Sequence, residues 1–280
     1  MTNLLTVSAQ KGTKLNQLMR ELGDTDLASA RWLRAQGYSS SLLARYVRSG
    51  WLNAPARGVY TNPRASLHWA GVMQSLQQRE ALRLHVGGRF ALAWRGHEHY
   101  LRFGTDEEVT LYGPDRLPGW VTKLTVPERF AHRGRGPFPS TSMRFASEAD
   151  DERLFQQGLE LEADANTSGA GVVMASNERA ALELCDEPPS TAQILEADAV
   201  MQGLNGLRPD QVHRLLCRCT SVKAKRLFLA LAERHNHAWL ARVSLDDVDL
   251  GSGKRVLAPG GRLHPKYQIT LPVALDEHLG

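Results

Sequence analysis

The sequence of 280 residues has few of the features that mark secreted or membrane proteins. It holds only three cysteines (Cys185, Cys217 and Cys219), an odd number at spacings that fit no disulfide framework. No run of about 18 apolar residues is present, so no membrane span is predicted. The first residues lack the basic start and the long apolar stretch of a secretory signal. These absences predict a cytoplasmic protein that has no membrane partner.

The sequence also lacks a recognisable catalytic constellation. No Ser–His–Asp order and no carboxylate pair stands out, so we predict no enzyme activity, no catalytic residue and no cofactor. His97 and His99 would share one face of a strand without a third ligand nearby, and Cys217 and Cys219 would diverge on a helix, so no metal site is expected. The segment 251–254 (Gly-Ser-Gly-Lys) lacks the spacing of a phosphate loop and its following helix, which favours a turn before a strand.

Charge is distributed unevenly, although the whole chain carries only +4. Residues 1–66 hold nine basic residues against three acidic ones, a net charge of +6, and residues 67–140 carry +3. Residues 141–210 hold four basic residues against fourteen acidic ones, a net −10, and residues 211–280 return to +5. A basic beginning followed by an acidic middle predicts that a polyanion binds at the N-terminal end.

Residues 1–65 predict three short helices followed by a hairpin. The first helix is predicted over 12–22, the second from a cap at residue 24 or 25 to residue 36, and the third over 40–48. The hairpin strands are predicted over 51–53 and 58–61. Gly37 would allow the tight turn before the third helix, and Ser39 would cap that helix. Two helices joined by a short turn, with a hairpin after the second, predict a winged helix-turn-helix.

The third predicted helix has the chemistry of a recognition helix. Its apolar side would pack on the other two helices, while small hydroxyls at its first turn and arginines further along remain outside. Serine hydroxyls bind phosphates or base edges, and arginine reaches guanine with two hydrogen bonds. We therefore predict contacts with double-stranded DNA from Ser39, Ser40, Ser41, Arg45 and Arg48, together with Arg57 in the wing. The alternative is a unit for protein contacts whose arginines are only solvated.

Beyond residue 65 the pattern mixes helices and short strands, which predicts an α+β protein with a second domain over 66–280 and a further division near 140–175. Helices are predicted near 69–76 and over 177–186, 190–203, 209–219 and 221–235, and strands over 89–95, 98–103, 108–112, 237–243, 254–258 and 266–271. The segment 132–142 predicts a loop. Its stretch Arg133–Pro137 fits either a minor-groove arm or a solvated surface loop.

The last third of the chain carries a second group of basic residues. Three of them begin a predicted helix and three lie near the terminal strands: Lys223, Lys225, Arg226, Lys254, Arg255 and Lys266. Packed together, they would form one positive surface for a polyanion or an acidic protein. The alternative is a solvated basic face.

Several stretches resemble the AbiEi antitoxins of type IV toxin–antitoxin (abortive infection) systems. The segment 33–60, with Leu-Leu-Ala-Arg-Tyr-Val-Arg-Ser-Gly-Trp-Leu at its centre, is similar to their winged N-terminal domain. The segments 221–235 (beginning Ser-Val-Lys-Ala-Lys-Arg), 248–256 and 261–269 resemble their C-terminal region and are the more specific part. The likeness covers most of the chain and is least distinctive over 130–175.

The resemblance implies an antitoxin that represses its own operon by binding inverted repeats in the promoter. It also implies a nucleotidyltransferase-like toxin as functional partner, countered through the C-terminal domain, and it leaves open whether the two proteins touch. Carried over by position, it places the DNA contacts on Ser40, Ser41, Arg45, Arg48 and Arg57, and the neutralising surface on the six basic residues. We expect a monomer in solution that pairs on DNA. The alternative function is a plain transcriptional regulator whose C-terminal domain senses a ligand or a partner.

Overall fold

The computed structural model describes residues 14–23, 26–97, 108–140, 144–145, 150–163 and 171–277. Over these ranges the chain is a mixed α/β protein with three sheets, two of three strands and one of five. No helix in the same ranges is both long enough and apolar enough to cross a membrane.

The N-terminal region, residues 14–61, is called the head below. Its elements are α1 (14–21), β1 (Leu27–Ser29), α2 (Ala30–Ala35), α3 (Ser40–Arg48), β2 (Asn53–Ala56) and β3 (Val59–Thr61). The strands form an antiparallel sheet in the order β1-β3-β2. The turn between β2 and β3 contains Arg57 and Gly58, and Gly58 has a φ of 77°, a conformation that glycine adopts without strain.

The helices of the head enclose a small core of their own. Leu18, Leu22, Leu33, Leu43 and Tyr46 are buried together in it. The predicted bounds of α3 are confirmed, because its apolar positions recur at helical spacing and Ser39 caps it.

The second predicted helix is partly wrong. Leu27–Ser29 pairs with Val59–Thr61 as a strand, and the helix begins only at Ala30, after Ser29 has capped it. The apolar residues that favour an earlier helix start are buried by strand pairing instead. The second hairpin strand is confirmed, whereas the first lies at Asn53–Ala56 and not at 51–53.

The remainder of the chain, called the body, is built on a five-stranded mixed sheet. Its strands are β4 (His85–Val86), β5 (Glu108–Tyr112), β6 (Arg129–Arg133), β7 (Leu159–Glu162) and β8 (Val172–Ala175), in the order β6-β5-β4-β8-β7. Every residue of β8 is buried. The pairs β4–β8 and β5–β6 are parallel, whereas β4–β5 and β7–β8 are antiparallel. The strand predicted over 108–112 is therefore confirmed.

Short helices connect these strands. They are α4 (Trp69–Gln74), which continues as a π-helical turn over Ser75–Arg79, α5 (Gly88–Leu92), which continues as a π-helical turn over Ala93–His97, and α6 (Asp151–Gln156). The strand predicted over 89–95 is thus wrong, because this apolar segment packs as a helix against the helix Asn177–Cys185. The strand predicted over 98–103 lies outside the described residues. The loop predicted over 132–142 begins later, since β6 extends to Arg133.

Four helices follow the central sheet, and all four agree with the predicted bounds to within one or two residues. They are α7 (Asn177–Cys185), α8 (Thr191–Gly203), α9 (Pro209–Arg218) and α10 (Val222–Arg234). Residues 224–232 of α10 are all buried, so this helix is surrounded by the main core.

The chain ends in a small sheet of β9 (Arg255–Val256), β10 (Arg262–His264) and β11 (Ile269–Leu271), followed by α11 (Ala274–Glu277). β11 pairs antiparallel with β10 and parallel with β9. The strand predicted over 237–243 is wrong, because hydrogen bonds from the side chains of His237 and Trp239 to the carbonyls of Met201 and Leu204 hold that segment in turns.

Candidate DNA interface and basic C-terminal segment

The outer side of α3 carries the polar residues predicted from the sequence. Ser40, Ser41, Arg45 and Arg48 are all exposed, while Leu43 and Tyr46 face the core of the head. The helix is therefore held by its apolar side and presents hydroxyls at its first turn and guanidinium groups one and two turns later. This order of groups matches the phosphates and base edges that a helix meets in a DNA groove.

Ser39 has a defined structural role at the beginning of this helix. Its Oγ accepts a hydrogen bond from the backbone N–H of Leu42 at 3.3 Å and lies 3.1 Å from the Oγ of Ser41. Ser39 is also exposed, so its hydroxyl is accessible to an external anion beside the helix N-terminus.

Three exposed arginines of the head differ from Arg31, which pairs with the Glu80 carboxylate. Within the parts of the chain that the structure describes, Arg45, Arg48 and Arg57 form no salt bridge. The guanidinium group of Arg45 lies 5.8 Å from the centre of the Tyr46 ring, which is itself buried in the head. These three side chains therefore keep their charge available to an external anion.

Two further exposed residues of the head, Arg34 and Trp51, were not among the predicted DNA contacts. Arg34 lies in the last turn of α2, and its Nε donates to the carbonyl of Ala30 at 3.1 Å. Trp51 follows α3 after Gly50, whose φ is 74°, and its side chain is 53% exposed. The local pattern predicts Trp51 in a strand, whereas the structure places it in a bend before β2.

The six basic residues predicted as a C-terminal surface do not all reach solvent. Lys225 and Arg226 are each only 3% exposed. The guanidinium group of Arg226 donates to four backbone carbonyls, those of Leu250, Gly251, Gly253 and Gln268, at 2.6–3.2 Å. Arg226 thus holds the loop before β9 and the chain before β11 against α10, and the expectation that these two residues lie on the surface is wrong.

Lys223 is also engaged within the chain. Its Nζ donates to the carbonyls of Asp186 and Glu187, at 2.6 and 2.7 Å, where α7 ends. Burial lowers the pKa of the Lys223 ammonium group. A cation at the C-terminal end of a helix is stabilising, so Lys223 serves α7 even though it stands at the unfavourable end of its own helix.

The other three predicted residues are exposed. Lys254 immediately precedes the edge strand β9, and Arg255 is its first residue. In the described ranges neither residue forms a salt bridge. Lys266 forms an ion pair with Glu233 at 2.5 Å, and this hydrogen bond raises the pKa of Lys266. The Glu233 carboxylate also accepts from the Tyr267 hydroxyl at 2.9 Å.

The remaining sequence features are accounted for locally. Cys217 lies 3.8 Å from His213, whereas the Cys219 thiol faces the carbonyl of Ser221, so the two sulfurs have different surroundings. His97 ends the π-helical turn after α5, while Glu98 and His99 lie outside the described residues.

The two loops singled out in the sequence are held by the body. The segment 251–254 offers carbonyls to Arg226, whereas a phosphate loop would offer N–H groups. Arg133 pairs with Glu187 at 3.4 Å, and the carbonyl of Pro137 accepts from the backbone N–H of Thr220 at 2.7 Å, so both ends of the Arg133–Pro137 loop are pinned.

Comparisons with known proteins cover most of the chain. Residues 106–272 match a family model described as "transcriptional regulator, AbiEi antitoxin, type IV TA system", and residues 11–103 match one described as "transcriptional regulator, AbiEi antitoxin N-terminal domain". The fold is similar to the crystal structure of the RV2827C protein from Mycobacterium tuberculosis, with a TM-score of 0.51, 15% identity, and coverage of 93% of this chain and 90% of that chain. Among curated proteins none matches this chain.

Proposed function

The chain belongs to the AbiEi family of antitoxins, the transcriptional regulators of type IV toxin–antitoxin systems, and on this premise we propose how it acts. The head is a winged helix-turn-helix that represses the protein's own operon by binding inverted repeats in the promoter. The body counteracts a nucleotidyltransferase-like toxin. Both activities belong to the cytoplasm, where the operon and the toxin are found.

The observation that carries the DNA-binding part is the exposure of all six predicted contact residues. Ser39, Ser40, Ser41, Arg45 and Arg48 lie on one end and one side of α3, and Arg57 lies in the turn of the adjacent hairpin. In this proposal α2 and α3 are the helix-turn-helix, α3 enters the major groove, and the β2–β3 hairpin is the wing that reaches the backbone or the minor groove.

Electrostatics of the whole head support the same assignment. Its exposed cations outnumber its acids: Lys14, Arg20, Arg31, Arg34, Arg45, Arg48 and Arg57. Of the acids described in the head, Asp26 is buried and paired with Arg79 of the body. A surface of this sign attracts the phosphate backbone and releases counterions on binding.

A gel-shift titration on the native upstream region tests the proposal. With about four to six phosphate contacts per head, the logarithm of the binding constant should fall against the logarithm of salt with a slope near −4 to −5. DNA of scrambled sequence and the same length is the control, and two copies should occupy a pair of repeats. Equal affinity for native and scrambled DNA would contradict a promoter-specific role.

The recognition helix is tested by replacing its arginines. Arg45→Ala and Arg48→Ala should each weaken operator binding by about 1–3 kcal/mol where the side chain reads a base. The matched control removes two exposed cations of the body, with Arg116→Ala and Lys123→Ala. If the Arg45→Ala, Arg48→Ala double variant binds the operator as tightly as the Arg116→Ala, Lys123→Ala double variant, the role of α3 is rejected.

Neutralisation is assigned to the exposed part of the basic C-terminal segment, Lys254 and Arg255, with Lys266 beside them. Growth arrest by the toxin encoded next to this gene, and rescue by this protein, would be measured in cells. Lys254→Glu with Arg255→Glu should abolish rescue while operator binding is kept, because the head is unchanged. Arg116→Glu with Lys123→Glu is the control of equal charge change, and full rescue by the β9 variant would remove these residues from the neutralising surface.

A further inference from the structure

The segment Ser75–Glu80, called the clamp below, lies at the junction between head and body. It comprises the π-helical turn that continues α4 together with the residue that follows it. Ser75, Gln77 and Glu80 are buried, and the side chain of Arg79 is only 14% exposed. Polar side chains buried in this way need partners, and the partners of the clamp lie on both sides of the junction.

Arg79 contacts three consecutive elements of the head. Its guanidinium group donates to the carbonyl of Glu21 at the end of α1 at 2.7 Å, and to the carbonyl of Leu27 in β1 at 2.9 Å. It also pairs with the carboxylate of Asp26 at 2.9 Å and lies 5.5 Å from the centre of the Trp32 ring in α2. A single side chain from outside the head therefore ties α1, β1 and α2 together.

Glu80 acts on the beginning of α2. Its carboxylate accepts hydrogen bonds from the hydroxyl of Ser29 and from Arg31, at 2.6 Å in the latter case. The Ser29 hydroxyl is at the same time the cap of α2, since it accepts from the backbone N–H of Trp32 at 3.1 Å. Glu80 thus orients the hydroxyl that begins the helix preceding α3.

Ser75 completes the contact with β1. Its Oγ donates to the carbonyl of Leu27 at 2.7 Å, and it lies 3.3 Å from the backbone N–H of the same residue. Both hydrogen-bonding groups of one strand residue are therefore fixed by the clamp.

The opposite side of the clamp is bound to the central sheet of the body. The Nε2 of Gln77 donates to the carbonyls of Leu84 and Val173 at 2.8 and 3.0 Å, and its Oε1 accepts from the backbone N–H of Val173 at 2.9 Å. Val173 belongs to β8, which is buried along its whole length. Residues four apart share a side of a helical turn and a residue midway lies opposite, so Ser75 and Arg79 face the head while Gln77 faces the sheet.

We propose that Arg79 and Glu80 are positioning residues for DNA binding, which fix the orientation of the head on the body through α1, β1 and α2. The consequence for DNA rests on the function proposed above. Because α2 leads into α3 through a turn of a few residues, fixing α2 also fixes the direction in which α3 points. Neither Arg79 nor Glu80 contacts DNA in this proposal.

The test compares the full chain with its Arg79→Ala, Glu80→Ala double variant. ¹⁵N relaxation should give one rotational correlation time for head and body in the wild type and a shorter one for the head in the variant. If loosening leaves the head correctly oriented for about a tenth of the time, the dissociation constant for the operator rises about tenfold. The slope of binding against salt should stay unchanged, because no phosphate contact has been removed.

Arg83→Ala is the matched control. Arg83 lies just after the clamp and forms an ion pair with Asp115 of the body at 2.6 Å, so its loss removes a bidentate pair without touching the head. Arg79→Lys, which keeps the charge but not the fork of donors, should restore part of the common correlation time and serves if the double variant does not fold.

The outcomes separate the two proposals. A common correlation time in the double variant, together with operator affinity within twofold of the Arg83→Ala control, would overturn the positioning role. If the wild type binds no upstream DNA, the proposed function fails, and the relaxation comparison still decides whether the clamp holds the head.

Discussion

Residues 1–66, which contain the head, and residues 211–280 carry nearly the same net charge, +6 and +5, yet their basic side chains lie in opposite kinds of surroundings. On the head, Arg45, Arg48 and Arg57 stand on the surface without salt bridges in the described ranges. In the C-terminal third, Lys225 and Arg226 are buried and Lys223 is bound to the end of a neighbouring helix. The head leaves these cations on its surface, while the C-terminal region uses several of its cations to hold its own backbone together.

The difference comes from where backbone carbonyls lack partners of their own. Arg45, Arg48 and Arg57 lie on a helix and in a tight hairpin turn, and in the described ranges their guanidinium groups donate to no backbone carbonyl. The C-terminal cations lie beside the end of α7 and beside the turn at 251–253, and both places offer free carbonyls. The burial of a basic side chain in this protein therefore depends on whether the fold brings such acceptors within its reach.

The largest effect should come from removing the buried cation of the C-terminal third. Arg226→Met keeps the aliphatic stem and deletes the donors to four carbonyls, so we expect the free energy of unfolding to fall by about 3 kcal/mol. Thermal unfolding should show this as a melting temperature lower by about 6–12 °C.

Arg255→Met is the matched control, since Arg255 is exposed on the edge strand. Its stability should stay within about 0.5 kcal/mol of the wild type. If the two substitutions lower the free energy of unfolding equally, buried and exposed cations do not differ in their contribution to stability.

The helices of the fold could be predicted largely from the sequence, and the sheets only in part. α3 and α9 carry a clear apolar period at helical spacing, and all five helices, α3 and α7 to α10, begin at a serine cap or at a first-turn proline. The central sheet pairs strands far apart in sequence, such as β4 with β8, and local patterns do not encode such pairings. The strand prediction for 89–95 is wrong because an apolar run of this length is buried equally well as a helix.

The candidate site could likewise be predicted only in part from the sequence. The exposed face of α3 follows from helical periodicity alone, so its serines and arginines can be named from the sequence. The burial of Arg226 and the clamp contacts of Arg79 depend on tertiary partners that lie 24 to 58 residues away along the chain. Such partners leave no mark in local composition.

A smaller loss of stability is expected at acidic pH, and it should arise from a buried pair in the body. His85 and Glu183 form a buried pair at 2.9 Å, with Arg179 bound to the same carboxylate at 2.8 Å. Burial, aided by Arg179, lowers the pKa of His85. Burial alone would raise the pKa of Glu183, but His85 and Arg179 outweigh it and lower that pKa.

The direction of the pH effect follows from these shifts. An unfolded histidine takes up a proton near pH 6.5, and the lowered pKa of folded His85 delays that uptake to lower pH, so its stability contribution is full above about pH 6.5 and is lost as pH falls. Between pH 7 and pH 5.5 the linkage of this one proton amounts to at most about 1 kcal/mol. His85→Gln keeps a donor for Glu183 and should lose that much less over the interval in urea titrations. Identical pH profiles for the two proteins would show that the pKa of His85 is the same in the folded and unfolded states.

The smallest effect is expected on α3, where two serine substitutions distinguish a role in stability from a role in DNA binding. Ser39→Ala removes the helix cap and should cost about 0.5–1 kcal/mol of stability, whereas Ser40→Ala, one residue further on the exposed side, should leave stability within about 0.5 kcal/mol. Both should weaken operator binding if this end of α3 faces DNA as proposed, because both lose a hydroxyl there. Urea titration and gel shift on the two variants measure the two quantities independently. If Ser40→Ala leaves both unchanged, the hydroxyls of this turn serve the helix alone, and binding by the head rests on its arginines.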